Sequence, residues 1–220
     1  MKRFWVRVAF LVAMMFLAGC SRHYAPSAAQ MMNARDGENF GIGTTLRTGD
    51  LYDSDMVDSQ GERTFEADEN NWNIDWFAYS KYSYFVFGLN FENLAPRVVA
   101  GARTDYLGLF GWYGIPVTDE KDHDHYPAGA MLAEQLPINE KIKIGVSEYI
   151  SNNMYPVEET TEGSSKKTYV NMYTEVGGGL YAVYNNMVSV EFRVGKELDE
   201  SNYRYYLLVN IAGNSPPQKK

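Results

Sequence analysis

The densest group of side chains able to do chemistry is the run Asp119-Glu120-Lys121-Asp122-His123-Asp124-His125. Imidazoles and carboxylates this close together are ligands for a divalent metal, and His123 and His125 with Asp122 and Asp124 form the candidate set. A solvated acidic loop accounts for the same residues and is the favoured reading. A second acidic stretch holds Asp50, Asp53, Asp55 and Asp58, followed by Gly61 and Glu62. There Val57 stands where an EF-hand loop needs an oxygen ligand, so the stretch fails that pattern and weak binding of a hard cation is only the minor alternative. The chain has no G-x-S-x-G elbow, no P-loop, no H-E-x-x-H and no dinucleotide fingerprint between a strand and a helix. Its single cysteine, Cys20, excludes an intramolecular disulfide, and with three histidines it leaves no Cys/His zinc cluster. The expectation is a non-enzymatic protein with no cofactor, a weakly held divalent cation in the acidic loops being the alternative.

Charges of another kind lie within segments whose apolar residues recur at every second position, the period of a half-buried strand. Val188, Val190, Phe192 and Val194 oppose Ser189, Glu191, Arg193 and Gly195. Tyr203, Tyr205, Leu207, Val209 and Ile211 oppose Arg204, Tyr206, Leu208 and Asn210. Val98, Ala100, Ala102, Thr104 and Tyr106 oppose Val99, Gly101, Arg103 and Asp105. Nothing of comparable length has a 3.6-residue period. The expected fold is all-β, an antiparallel up-and-down β-barrel of about eight strands over 39–47, 72–91, 97–113, 127–136, 141–150, 168–184, 188–196 and 203–212. The run 72–91 changes phase near Ser80-Lys81, which implies a bulge there, or a turn that would give nine or ten strands.

Alternation alone does not say which face is wet. The polar face is rich in small residues, among them Gly41, Gly43, Gly101, Gly177, Gly179 and Gly195, which suit a narrow lumen. Between them stand Arg47, Arg103, Asp105, Glu175, Glu191, Arg193 and Arg204, assigned here to the barrel interior as a mutually paired set. Trp72, Phe110, Trp112, Tyr149, Tyr169, Tyr184 and Tyr203 lie near strand ends, as interfacial girdles would, although aromatics favour strands in any case. Glu134 and Glu148 share the parity of the apolar residues, so a lipid-facing surface requires them at its rim.

The 20 basic and 28 acidic residues give a net charge of −8, which argues against a nucleic-acid partner. Before the barrel, Lys2, Arg3 and Arg7 precede the apolar run Val8 to Leu17. That run is shorter than the roughly 20 residues a spanning helix needs and fits the core of a signal peptide. It ends in Leu17-Ala18-Gly19-Cys20, which resembles the lipobox of bacterial lipoproteins. The resemblance implies that residues 1–19 are removed and that Cys20 is acylated as the mature N-terminus; Ser21 is compatible with sorting to the outer membrane. An uncleaved anchor with an incidental cysteine is the alternative. Residues 20–38 read as a lipidated N-terminus and tether, because Ser27 to Arg35 offers two helical turns but no apolar stripe to hold them. Residues 213–220 read as a polar tail behind the barrel domain, 39–212.

Long connections alternate with tight turns at Asn93 to Pro96, Pro137 to Glu140 and Asn185-Asn186. In this plan residues 39–212 resemble the small eight-stranded outer-membrane barrels. The chain departs from them in ending its last strand at Ala212 without a terminal aromatic. The resemblance implies long loops outside, with turns and both chain ends on the periplasmic side. It further implies a lipid-anchored outer-membrane protein in contact with lipid through Cys20 and the barrel surface, in a structural or surface-interaction role. The other reading is a lipid-tethered soluble β-barrel holding an apolar ligand. Nothing in the sequence names a protein partner.

Overall fold

A computed structural model describes residues 24–48, 70–92, 95–115, 126–160, 166–198 and 203–214. A short helix, α1 (Ala28–Met32), precedes ten strands. They are β1 (Gly37–Thr48), β2 (Asn70–Tyr82), β3 (Phe85–Glu92), β4 (Ala95–Arg103), β5 (Leu107–Gly114), β6 (Ala128–Pro137), β7 (Ile142–Thr160), β8 (Lys166–Tyr184), β9 (Val188–Glu197) and β10 (Tyr203–Asn214). Each strand pairs antiparallel with its sequence neighbours, and β1 pairs with β10 from Asn39↔Asn214 to Thr48↔Tyr205, closing an up-and-down barrel.

The strand number is ten rather than about eight because two long alternating runs each contain a hairpin. The run 72–91 folds back at Ser83-Tyr84, where Ser83 takes a left-handed φ of 55°. The run 97–113 folds back at Thr104 to Tyr106, where the Thr104 hydroxyl accepts from the amides of Tyr106 and Leu107 at 3.2 and 3.0 Å. Neither turn carries glycine or proline, the usual markers. The second turn also removes Asp105 from the interior set. Its side chain is 84% exposed beyond the end of β4, 3.7 Å from Arg103.

Among the described residues, the turns at 83–84, 104–106, 138–141 and 185–187 fall at one end of the barrel. The connections at the other end are 49–69, 93–94, 116–125, 161–165 and 199–202, so the short connection expected from Asn93 to Pro96 lies with the long ones. At that second end β7 and β8 continue past their outer neighbours. β6 leaves β7 at Asn152 and β9 leaves β8 at Glu175, so the remainder of the hairpin pairs only with itself.

The barrel is inverted relative to a water-soluble one. Val188, Val190, Phe192, Leu180, Ile144 and Leu132 point outward and are exposed, whereas Ser189, Glu191, Arg193 and Ser147 point inward and are buried. Outward aromatics gather at the two ends: Tyr82, Tyr84, Phe85, Tyr106 and Tyr184 by the turns, and Trp72, Tyr113, Tyr126, Tyr203 and Tyr205 by the long loops. The aromatic expectation fails for Phe110, Trp112 and Tyr149, which face the lumen and are buried. Their rings occupy space left by missing side chains. A Cβ on Gly177 would collide with the Tyr149 ring at 2.5 Å, and one on Gly101 with Phe110 at 2.5 Å.

Candidate functional site

The lumen holds the concentrated chemistry of the described residues, and it is occupied by the chain's own N-terminal segment. Residues Tyr24 to Arg35 run through the barrel as a plug, with Ala28, Ala29, Met31 and Met32 at most 1% exposed. This segment was expected to be a tether, since it has no apolar stripe. A stripe is needed only by a helix that lies on a surface; one enclosed on every side can be apolar nearly all round. Its polar members meet wall residues. Gln30 Nε2 donates to Asn210 Oδ1, and Asn33 Nδ2 donates to Gln135 Oε1 at 3.0 Å.

The wall also holds the plug through its backbone groups. Glu191 sits at the start of α1, where its Oε2 accepts from Ser27 Oγ at 2.6 Å and from the Ala29 amide at 3.3 Å. Arg193 donates to the carbonyls of Pro26 and Ala25 at 3.1 and 3.0 Å. Arg97 and Arg47 donate to the Tyr24 carbonyl and hydroxyl, and Arg103 donates to the Ala34 carbonyl. Unpaired helix-end and loop amides are costly to bury, so these partners make the plug compatible with a dry interior.

The wall charges balance. Among the described residues, five arginines (47, 97, 103, 193 and 204) and five carboxylates (75, 92, 175, 191 and 197) are buried. Arg97 pairs with Glu92 at 2.6 Å, Arg204 pairs with Glu197 and lies 3.7 Å from Glu175, and Arg193 Nε lies 3.5 Å from Glu191. Glu175 also accepts from the hydroxyls of Tyr149 and Tyr206 at 2.6 and 2.7 Å. Arg204 stacks on Tyr173 with 4.0 Å to the ring centre.

Of the residues assigned to the interior, Arg47, Arg103, Glu175, Glu191, Arg193 and Arg204 lie there, and Asp105 does not. They do not form one mutual network. Arg47 and Arg103 each give a donor to the plug, Arg103 also donates to the Thr104 carbonyl at 3.2 Å, and Glu191 divides itself between Arg193 and α1. Sequence reading missed Asp75, Glu92, Arg97 and Glu197. Parity alone could have found Asp75, which lies between the outward Ile74 and Trp76. Asp122, His123, Asp124 and His125, like Cys20, lie outside the described residues.

Among the described residues, two small voids between plug and wall have volumes of about 10 and 20 Å3. Each has room for about one water molecule. The apolar-ligand reading needs a cavity where the plug stands. At the turn end the chain leaves the lumen, and Gly37 adopts φ 94° as it reverses into β1. Beside it Lys81 Nζ lies 2.8 Å from Asp36 and holds that exposed carboxyl below the ordinary carboxylate range.

Two carboxylates break the apolar exterior. Glu134 lies toward the turn end, opposite Leu107. Glu148, expected at a rim, lies midway along β7 between Val146 and Ile150, paired with Leu132 and Gly178 and facing outward.

The chain matches no family model and no curated protein. Among solved structures it is similar to the N-terminal β-barrel domain of Pseudomonas aeruginosa OprF, at 7% identity over 80% of this chain and 97% of that one, with a TM-score of 0.35. It is similar to Neisserial surface protein A at 14% identity, over 80% and 95% of the two chains, with a TM-score of 0.39. It is similar to Ail, the attachment invasion locus protein of Yersinia pestis, at 10% identity, over 81% and 98%, with a TM-score of 0.38. At such values, function has to be argued from the barrel's own geometry.

Proposed function

We propose that this chain is an outer-membrane β-barrel lipoprotein, closed by its own N-terminal segment and acylated at Cys20. Its role is structural or one of surface interaction through the acidic loops, with no catalysis. One observation carries the reading: an apolar belt bounded by two sets of aromatics faces outward, while buried arginines and carboxylates face inward. Water would favour the opposite arrangement, and lipid favours this one. The plug supports a closed barrel rather than a solute channel. Acylation is supported by Leu17-Ala18-Gly19-Cys20 behind an apolar run.

Detergent dependence tests the embedding. The mature chain carrying Cys20→Ser should stay folded only in detergent or lipid; a soluble monomer without detergent overturns the reading. Mass spectrometry of the native mature N-terminus tests acylation, and an unmodified cysteine or cleavage elsewhere rejects it.

A further inference from the structure

We infer that the mature N-terminus, with the acyl group at Cys20, lies at the long-loop mouth of the barrel, on the outer face of the membrane. The acyl group and the membrane rest on the reading above; the direction of the plug does not. That direction follows from the order of its contacts. Tyr24 meets Arg47, Glu92 and Arg97, all at the long-loop ends of their strands. Ala25 and Pro26 meet Arg193, and Ser27 meets Glu191, one step further along β9 toward its turn end. Asn33 then meets Gln135 and Lys143, and Ala34 meets Arg103. Arg35 donates to the carbonyl of Asn185 at 3.0 Å, in the β8–β9 turn, and Asp36 bonds Lys81. The contacts thus move from the long-loop end to the turn end without reversal.

The chain therefore enters the lumen at the long-loop mouth and leaves it by the turns before starting β1. Cys20 is four residues before Tyr24, a reach of at most about 14 Å. The apolar band of such a barrel is about 25 Å tall. The way back to the turn side is filled by residues 25–35 themselves. An acyl group on Cys20 thus cannot sit in the periplasmic leaflet while this plug is in place. This reverses the expectation that a barrel with both strand ends at the turns begins on the periplasmic side. It also means that the β1–β10 seam closes around a threaded segment.

Impermeant maleimide labelling of whole cells tests the inference, using the full chain with one new cysteine at a time. His23→Cys reports the plug's entry, Asp53→Cys a long loop, and Glu140→Cys a tight turn. His23→Cys and Asp53→Cys should label equally in intact and permeabilised cells, and Glu140→Cys only after permeabilisation. Three results overturn the inference: His23→Cys behaving like Glu140→Cys, His23→Cys labelling under neither condition, or Asp53→Cys labelling only after permeabilisation. The unsubstituted chain must take no label, because an acylated Cys20 has no thiol. The mass of its N-terminal peptide separates the two claims. An unacylated chain labelled at position 23 from outside refutes the lipid and leaves the threading, whereas an acylated chain labelled there only after permeabilisation refutes the threading.

Discussion

Ser27 and Glu191 are 164 residues apart in sequence, and the Ser27 hydroxyl donates to the Glu191 carboxylate at 2.6 Å in the middle of the lumen. The same Ser27 oxygen accepts from the Gln30 amide at 3.4 Å, so the cap of the plug helix and its attachment to β9 are one hydrogen-bonded unit. Arg193 completes the unit by holding the two carbonyls just before it.

Glu191→Ala removes the acceptor shared by Ser27, Ala28 and Ala29 and leaves Arg193 without its nearest carboxylate. In a desolvated lumen this should cost about 3–5 kcal/mol in urea unfolding from lipid vesicles. Glu191→Gln, which retains an acceptor, should cost less. A loss for Glu191→Ala within the ~0–1 kcal/mol of an exposed pair would mean that water fills the lumen.

The plug is fitted to the wall at Gly108. A Cβ there would come within 2.5 Å of Met32 Sδ and 2.6 Å of the Phe110 ring. Gly108→Val should destabilise the barrel by about 1–3 kcal/mol through overpacking. Combining it with Met32→Ala should restore part of that loss. No recovery in the double variant would show that Met32 is not the obstructing group.

Glu148 faces outward midway along the apolar belt, beside Gly178. A carboxylate facing lipid is unfavourable, though less so than an arginine or lysine at the same depth. Glu148→Leu should therefore raise stability in vesicles by about 1–2 kcal/mol. An unchanged or lowered unfolding midpoint would show that this face does not meet lipid.

At the turn-end rim, the Asp36 carboxyl is held below 3.8 by Lys81. A group whose folded value is depressed stabilises above its unfolded value and loses that contribution as pH falls through the folded value. The Asp36 contribution should therefore be complete above pH 3.8 and disappear under more acidic conditions. In a carboxyl NMR titration, Lys81→Met should move the Asp36 midpoint upward. Identical midpoints in the two chains would show that the pair does not form.

Alternation at Val188 to Gly195 and Tyr203 to Ile211 was enough to read an all-β chain, because successive strand side chains must point to opposite faces. The same parity located Glu191, Arg193 and Arg204 on a common face before any pairing was known. The phase change near Ser80-Lys81 signalled the first extra hairpin, at Ser83-Tyr84, as one of two alternatives, whereas the turn at Thr104 to Tyr106 was not legible. The residues of both turns are ordinary, and they turn because neighbouring strands are already in register. Phe110, Trp112 and Tyr149 face inward because glycines on the paired strands leave room for their rings, a relation no single segment contains. Least legible was the plug. Its attachment uses the backbone carbonyls of Tyr24, Ala25, Pro26 and Ala34, which every residue type possesses. Sequence determined the faces of the strands because that pattern is local. Only the closed barrel decided what its lumen contains, because the partners are brought together from opposite ends of the chain.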